Sequence, residues 1–246
     1  MPRAAIALIL LTTALLGPAA GAEGPDYQGL RRDMVRLVEI NVAITGEDTG
    51  IKELSPRVLA VMREVPRHLF VPEALRPYAY SDHPLPLGHG QNLASPFVVA
   101  LMTHLAELEP DDVVFETGTG AGYHAAVLAK LAAQVYSVEV VEPLAGLAAA
   151  TLTRLGVVNA HARSGDGYYG WPDHAPYDAI LVKEALDHVP VPLLNQLKAG
   201  GRMVLPLGSL EGGQYLTVVR KQADGTTRRT RILPVLFSPL QGGERT

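Results

Sequence analysis

Apolar residues recur at helical spacing near the start of the chain. Leu30, Met34, Leu37, Val38 and Val42 share one face of a helix expected over residues 27–45, and the polar GEDTG at 46–50 reads as a flexible break. Ser55 and Pro56 mark the next start, a serine N-cap followed by proline at the first helical position. Val58, Leu59, Met62 and Val65 continue an apolar face. Residues 71–96 are rich in proline and glycine, which predicts an ordered but irregular segment, and helical spacing returns from Pro96 to Leu108. Beyond it, short apolar runs alternate with helical ones. Strands are expected over 112–116, 134–139, 158–163, 177–182 and 201–206, with helices after the first, second and fourth. This alternation predicts an α/β fold with a mostly parallel sheet covered on both faces, capped by the N-terminal helices. QYLTVVRKQ and TTRRTRILPVLF flank Ala223-Asp224-Gly225, a turn signal, so an antiparallel hairpin should close the C-terminal edge.

The first residues carry a different pattern. Arg3 precedes an apolar core from Ala4 to Leu16, then the helix-breaking Gly17-Pro18, then Ala20-Gly21-Ala22. That is the layout of a secretory signal peptide over residues 1–22, cleaved after Ala22, which implies a secreted or periplasmic mature chain without a membrane span. The remainder divides into an N-terminal helical cap with a loop (23–96) and an α/β domain (97–246). A net charge of −4 and scattered basic residues argue against nucleic acid as a partner, and a monomer is expected. With no cysteine in the chain, disulfides, thiolate metal sites and a cysteine nucleophile are excluded. The eight histidines show no metal-ligand spacing, and no G-x-S-x-G elbow is present.

VVFETGTGAGYHAAVLAKLA, residues 113–132, reads as strand, tight turn and helix. The turn offers Gly118, Thr119, Gly120, Gly122 and Tyr123 to a ligand. Its glycines follow G-x-G-x-G, with Tyr123 after the last, rather than the dinucleotide G-x-G-x-x-G, which disfavours an NAD-linked oxidoreductase. That spacing is common in S-adenosylmethionine-dependent methyltransferases. Three acids stand at successive strand ends: Glu116 for a cationic methionine moiety, Glu139 for ribose hydroxyls, and Asp166, in Gly165-Asp166-Gly167, for an adenine amino group. Together they outline one crevice at the carboxyl edge of the sheet.

On VPRHLFVP (65–72), PLPLGHGQ (84–91), FETGTGAGY (115–123), VYSVE (135–139), GDGYYGWPDHAPYDAI (165–180), LLNQLKAGGRMVLPLG (193–208) and LPVLFSPL (233–240), the chain resembles the protein-L-isoaspartate O-methyltransferases from about Ser55 to Leu240. The resemblance implies a Rossmann-like class I methyltransferase sheet and S-adenosyl-L-methionine as cofactor. It also implies, as substrate, the carboxylate of L-isoaspartyl or D-aspartyl residues in damaged proteins. Such a carboxylate is already ionised at neutral pH, so positioning and exclusion of water would carry the chemistry.

Two stretches depart from the family. Its acceptor loop, G-Q-T-I-S-x-P, is here Gly90-Gln91-Asn92-Leu93-Ala94-Ser95-Pro96, so the family's serine falls on Ala94 and its threonine on Asn92. Ser95 could replace the missing hydroxyl only if the loop shifts by one residue. Asn92 and Ser95 are therefore the candidate catalytic groups, with Gln91 and Ala94 at the substrate. Losing one hydrogen bond to a charged group costs about 1.5–3 kcal/mol, roughly 10- to 150-fold in rate. The second departure is Lys183-Glu184-Ala185-Leu186, where the family has small residues resembling T-A-A-P; Lys183 could attract a carboxylate or pair with Glu184 or solvent. An exported relative that binds the cofactor with weakened or lost catalysis, or with another acceptor, stays open as the alternative.

Overall fold

The computed structural model describes residues 25–242, and the signal peptide read over residues 1–22 lies outside them. Helix α1 (Tyr27–Thr49) starts at Asp26, whose carboxylate accepts the Gly29 N–H at 2.8 Å. It buries Met34, Val35, Val38 and Val42, while Leu37 is 44% exposed. The expected break at 46–50 is absent. The helix runs through GEDT and stops only at Gly50, at φ 70°. Polarity alone does not end a helix; a residue that adopts the left-handed conformation does. Helix α2 (Pro56–Glu64) starts as expected, yet Ser55 makes no side-chain cap, and its N–H instead donates to His104 Nδ1 at 3.0 Å.

The irregular segment contains more order than its composition suggests. Two 3₁₀ turns, Arg67–Phe70 and Glu73–Tyr78, lead into a small antiparallel hairpin, β1 (Leu85–Gly88) and β2 (Gln91–Leu93). Gly88, His89 and Gly90 turn the corner with positive φ, so His89 serves the loop. Helix α3 (Pro96–Ala106) follows directly.

The main sheet begins with β3 (Val113–Thr117), α4 (Tyr123–Ala129), β4 (Gln134–Glu139), α5 (Glu142–Arg154), β5 (Ala160–Ser164) and β6 (Tyr177–Leu181). It ends with α6 (Val191–Gln196), β7 (Leu197–Ser209), β8 (Gly213–Lys221) and β9 (Thr227–Val235). The strand order is β5-β4-β3-β6-β7-β8-β9, parallel as far as β7, with β8 and β9 antiparallel. The antiparallel part is thus larger than the expected hairpin, because β7 pairs antiparallel with β8 on one side and parallel with β6 on the other. Val114 packs on the side of the helical cap and Phe115 on the opposite side, against Tyr177, Ile180 and Leu193. Both faces are therefore covered, as a parallel sheet requires. The chain leaves β3 toward β4 and returns to its other side with β6. This switch point opens a crevice beyond the strand ends. Among the described residues no helix is long and apolar enough to cross a membrane.

Candidate active site

The glycine turn sits at that switch point. Gly118, Gly120 and Gly122 have φ of 61°, 56° and 94°, a region costly for residues bearing a Cβ. A Cβ on Gly122 would only touch Ala148 and Leu152 of α5, at 3.4 Å, whereas one on Gly118 would strike the carboxylate of Glu184. Thr119 is buried and its hydroxyl lies 2.5 Å from that of Ser137. Because Ser137 donates to Glu116 Oε1 at 2.7 Å, Thr119 must donate to Ser137. Two hydroxyls thus tie the turn to the acid at the end of β3.

The three expected acids stand at or just beyond the ends of neighbouring strands, but of the three Glu139 alone lines the crevice. Glu139 lines the crevice; its two oxygens accept the N–H groups of Gly120 (2.8 Å) and Val141 (2.9 Å), leaving further lone pairs for hydroxyls. Glu116 pairs in register with Ser137, two residues short of Glu139, so it lies deeper and is fully buried. Its Oε2 accepts from the Lys183 ammonium at 2.8 Å. The sequence expectation placed Glu116 against a cationic ligand and Lys183 beside an acceptor carboxylate or Glu184. The structure pairs Glu116 and Lys183 with one another. Asp166 accepts the Tyr168 N–H at 2.9 Å and packs on Gly242, while its neighbour Gly167 borders the crevice.

The crevice has a main cavity of about 210 Å³ and a narrow extension. The main cavity brings together Gln91, Asn92, Ala94 and Ser95 of the acceptor loop, Gly118, Thr119 and Tyr123 of the turn, and Glu139, Lys183 and Glu184. Loop and turn, far apart in sequence, face one another. Asn92 is exposed, and Ser95 caps α3, its hydroxyl oxygen accepting the Val98 N–H at 3.4 Å. Tyr123 borders the cavity, but its ring is buried edge-to-face against Phe70, with the Arg67 guanidinium 4.8 Å from its centre.

Four groups to which the sequence reading assigned no role shape the site. Arg67 is fully buried and donates to the carbonyls of Ala79 (2.8 Å) and Ala94 (2.7 Å), pinning the acceptor loop. Asp82 accepts from Phe97 N–H at 2.8 Å and from Asn41 at 2.5 Å, tying the start of α3 to α1. His124 lines the cavity, and burial holds it neutral, well below the ordinary histidine range. The Thr103 hydroxyl donates to Val99 O, so His124 Nε2 donates to Thr103 and Nδ1 is left as a bare acceptor among the described residues. Last, residues 236–241 wall the crevice: Leu236, Phe237 and Ser238 line the main cavity, and Ser238 to Gln241 line the extension. Gln214 holds this strap by donating to Phe237 O (3.1 Å) and accepting from Phe237 N–H (2.7 Å). Backbone bonds join Ala185 to Ser238 and Leu240.

Comparison with known proteins agrees with this arrangement. A model of the family described as protein-L-isoaspartate(D-aspartate) O-methyltransferase matches residues 45–245. A protein-L-isoaspartate O-methyltransferase 2 of Syntrophobacter fumaroxidans is 48% identical over 239 residues, covering 97% of each chain. A protein-L-isoaspartate O-methyltransferase 1 of Nitrosospira multiformis is 52% identical over 218 residues, 89% of each. Among solved structures, a protein-L-isoaspartate O-methyltransferase superposes with a TM-score of 0.74 at 28% identity, over 86% of this chain and 66% of that one. A Plasmodium falciparum structure in complex with S-adenosyl-L-homocysteine shares the fold, with a TM-score of 0.72 at 20% identity over 89% of this chain and all of that one. The chain belongs to the protein-L-isoaspartate O-methyltransferase family.

Proposed function

We infer that this protein methylates the free carboxylate of isoaspartyl residues in damaged proteins, with S-adenosyl-L-methionine as methyl donor. The observation that carries the reading is the shared crevice, in which the acceptor loop Gln91–Ser95 faces the glycine turn of the donor site. The chain's residues fit the donor. Left-handed glycines free backbone at Gly118 and Gly120, and Glu139 presents a carboxylate with acceptor capacity toward hydroxyls. Gly167 and Asp166 stand at the next strand end for the adenine side. When bound, the donor supplies an electrophilic methyl group on a sulfonium.

The chain's own task is to bind, orient and dry the acceptor. The substrate carboxylate arrives ionised, so no base is needed and no proton moves. Arg67 fixes the loop backbone at Ala94, and Lys183, which borders the same cavity, offers its ammonium N–H groups from beside Glu116. The strap at 236–241 keeps water from one side. The hydroxyl missing at Ala94 favours a slower enzyme, since Ser95 is held at the cap of α3. Transfer of labelled methyl to an isoaspartyl peptide, but not to its aspartyl counterpart, is the expected result. Donor binding without transfer would overturn repair activity and leave a binding protein.

Export belongs to the same proposal, supported by Arg3, the apolar core from Ala4 to Leu16 and Ala20-Gly21-Ala22. Amino-terminal sequencing of the fractionated mature chain should begin at Glu23. Action as a monomer belongs to the same proposal and is checked by sedimentation.

A further inference from the structure

We propose that Glu184, in place of Glu116, is the carboxylate that meets the donor's sulfonium, and that it favours the charged donor over the neutral thioether left after transfer. This inference rests on the functional reading above. The acid that closes β3 is the one expected to face a cationic ligand, but Glu116 is fully buried and its charge is met by the Lys183 ammonium. Glu184, one residue beyond that lysine, lies across the α-carbon of Gly118 and accepts from the Thr117 hydroxyl at 2.5 Å. Among the described residues no ammonium or guanidinium pairs with it, since Lys183 turns to Glu116.

Glu184 also lines both the main cavity and its narrow extension, and so stands at their junction. The main cavity holds the acceptor loop, and the extension runs along Val138, Glu139 and Gly167 toward the side read for the adenosyl group. A sulfonium must sit between these two sides, because the sulfur bears both the adenosyl group and the methyl that faces the acceptor. A carboxylate at the junction is attracted to the sulfonium charge of S-adenosylmethionine and has no such charge to meet in S-adenosylhomocysteine.

Ionisable groups surround it from every packed element: Glu116 on β3, Glu139 on β4, the neutral His124 on α4 and Lys183 on its own loop. The strap, residues 236–241, contributes no ionisable side chain to the crevice. Desolvation by burial pushes the Glu184 carboxyl up to about 7; Thr117 and Lys183 oppose that rise, and Glu139 and Glu116 add to it. Binding of a cation beside it should therefore expel a proton near neutrality.

Calorimetry on the full chain with each ligand tests this. Glu184→Gln keeps the bond from Thr117 and removes the charge. It should weaken S-adenosylmethionine by about 10-fold or more, the worth of one charge-assisted contact, and S-adenosylhomocysteine by less than about 3-fold. Titrations in two buffers of different ionisation enthalpy, at about pH 6.5, should show proton release with the wild-type protein and S-adenosylmethionine and none with Glu184→Gln. Glu184→Asp, which keeps the charge, should retain part of the preference. Equal losses for both ligands, or no loss, would overturn the assignment to Glu184 alone. Failure of the unmutated, folded chain to bind either ligand would instead overturn the functional reading itself.

Discussion

Lys183 and Glu116 form a buried ion pair, with Lys183 Nζ 2.8 Å from a carboxylate of no exposure. Removing one partner of such a pair leaves an uncompensated charge, at a cost of about 3–5 kcal/mol. Lys183→Met should therefore destabilise the protein by that order in urea unfolding. The double variant Lys183→Met, Glu116→Gln should recover most of it; full additivity of the two single losses would show that the pair is not coupled. At this scale the sequence was legible where chemistry follows position in the chain. Glycines at 118, 120 and 122 and the acids at 116 and 139 stand where strand and turn logic put them. It was not legible where chemistry depends on which partner a long side chain finds. Nothing in the order Lys183-Glu184 indicates that the lysine turns to the neighbouring strand and leaves the glutamate over Gly118. Arg67 was hidden likewise, because a carbonyl partner such as Ala94 leaves no mark on composition.

Between elements, two contacts decide whether the crevice forms. Gly122 lets α4 begin while α5 lies close, at φ 94° and with 3.4 Å to Ala148 and Leu152 from a would-be Cβ. Gly122→Ala should cost about 1–2 kcal/mol from backbone strain, read as a lowered melting temperature. The strap depends on Gln214, whose side-chain amide imitates a strand partner for Phe237. Gln214→Ala should raise hydrogen exchange across 236–241 and weaken donor affinity, with the sheet core unchanged. Periodicity marked every strand of the main sheet to within a few residues except β7, which begins at Leu197 rather than 201. It missed β1 and β2, because strands of four and three residues are too short for alternation to register. It ended α1 early because a polar run was read as a stop signal, whereas the helix stops at Gly50.

For the molecule as a whole, pH stability separates two opposed contributions. His68, His104 and His124 are held below the ordinary histidine range, chiefly by burial. The unfolded chain therefore takes up their protons first, and their contribution falls as pH drops through about 6.5. Glu184 acts with the opposite sign. With its folded pKa raised to about 7, the folded state holds the proton that the unfolded state releases, so its contribution falls as pH rises from about 4.5 to 7. The stability of Glu184→Gln minus that of the ligand-free wild type should therefore increase across that window, as measured by urea unfolding at stepped pH. A flat difference would place the carboxyl at an ordinary value.

The strap has one further implication. The turn at Gly118–Gly122 is synthesised long before residues 236–241, so a growing chain carries that side of the crevice without its outer wall. Until that stretch has emerged and docked on Gln214 and Ala185, the nascent protein has a half-open trough in place of a reaction chamber. Competence to methylate thereby depends on residues 236–241, and a product cut short before them should stay inert toward its neighbours.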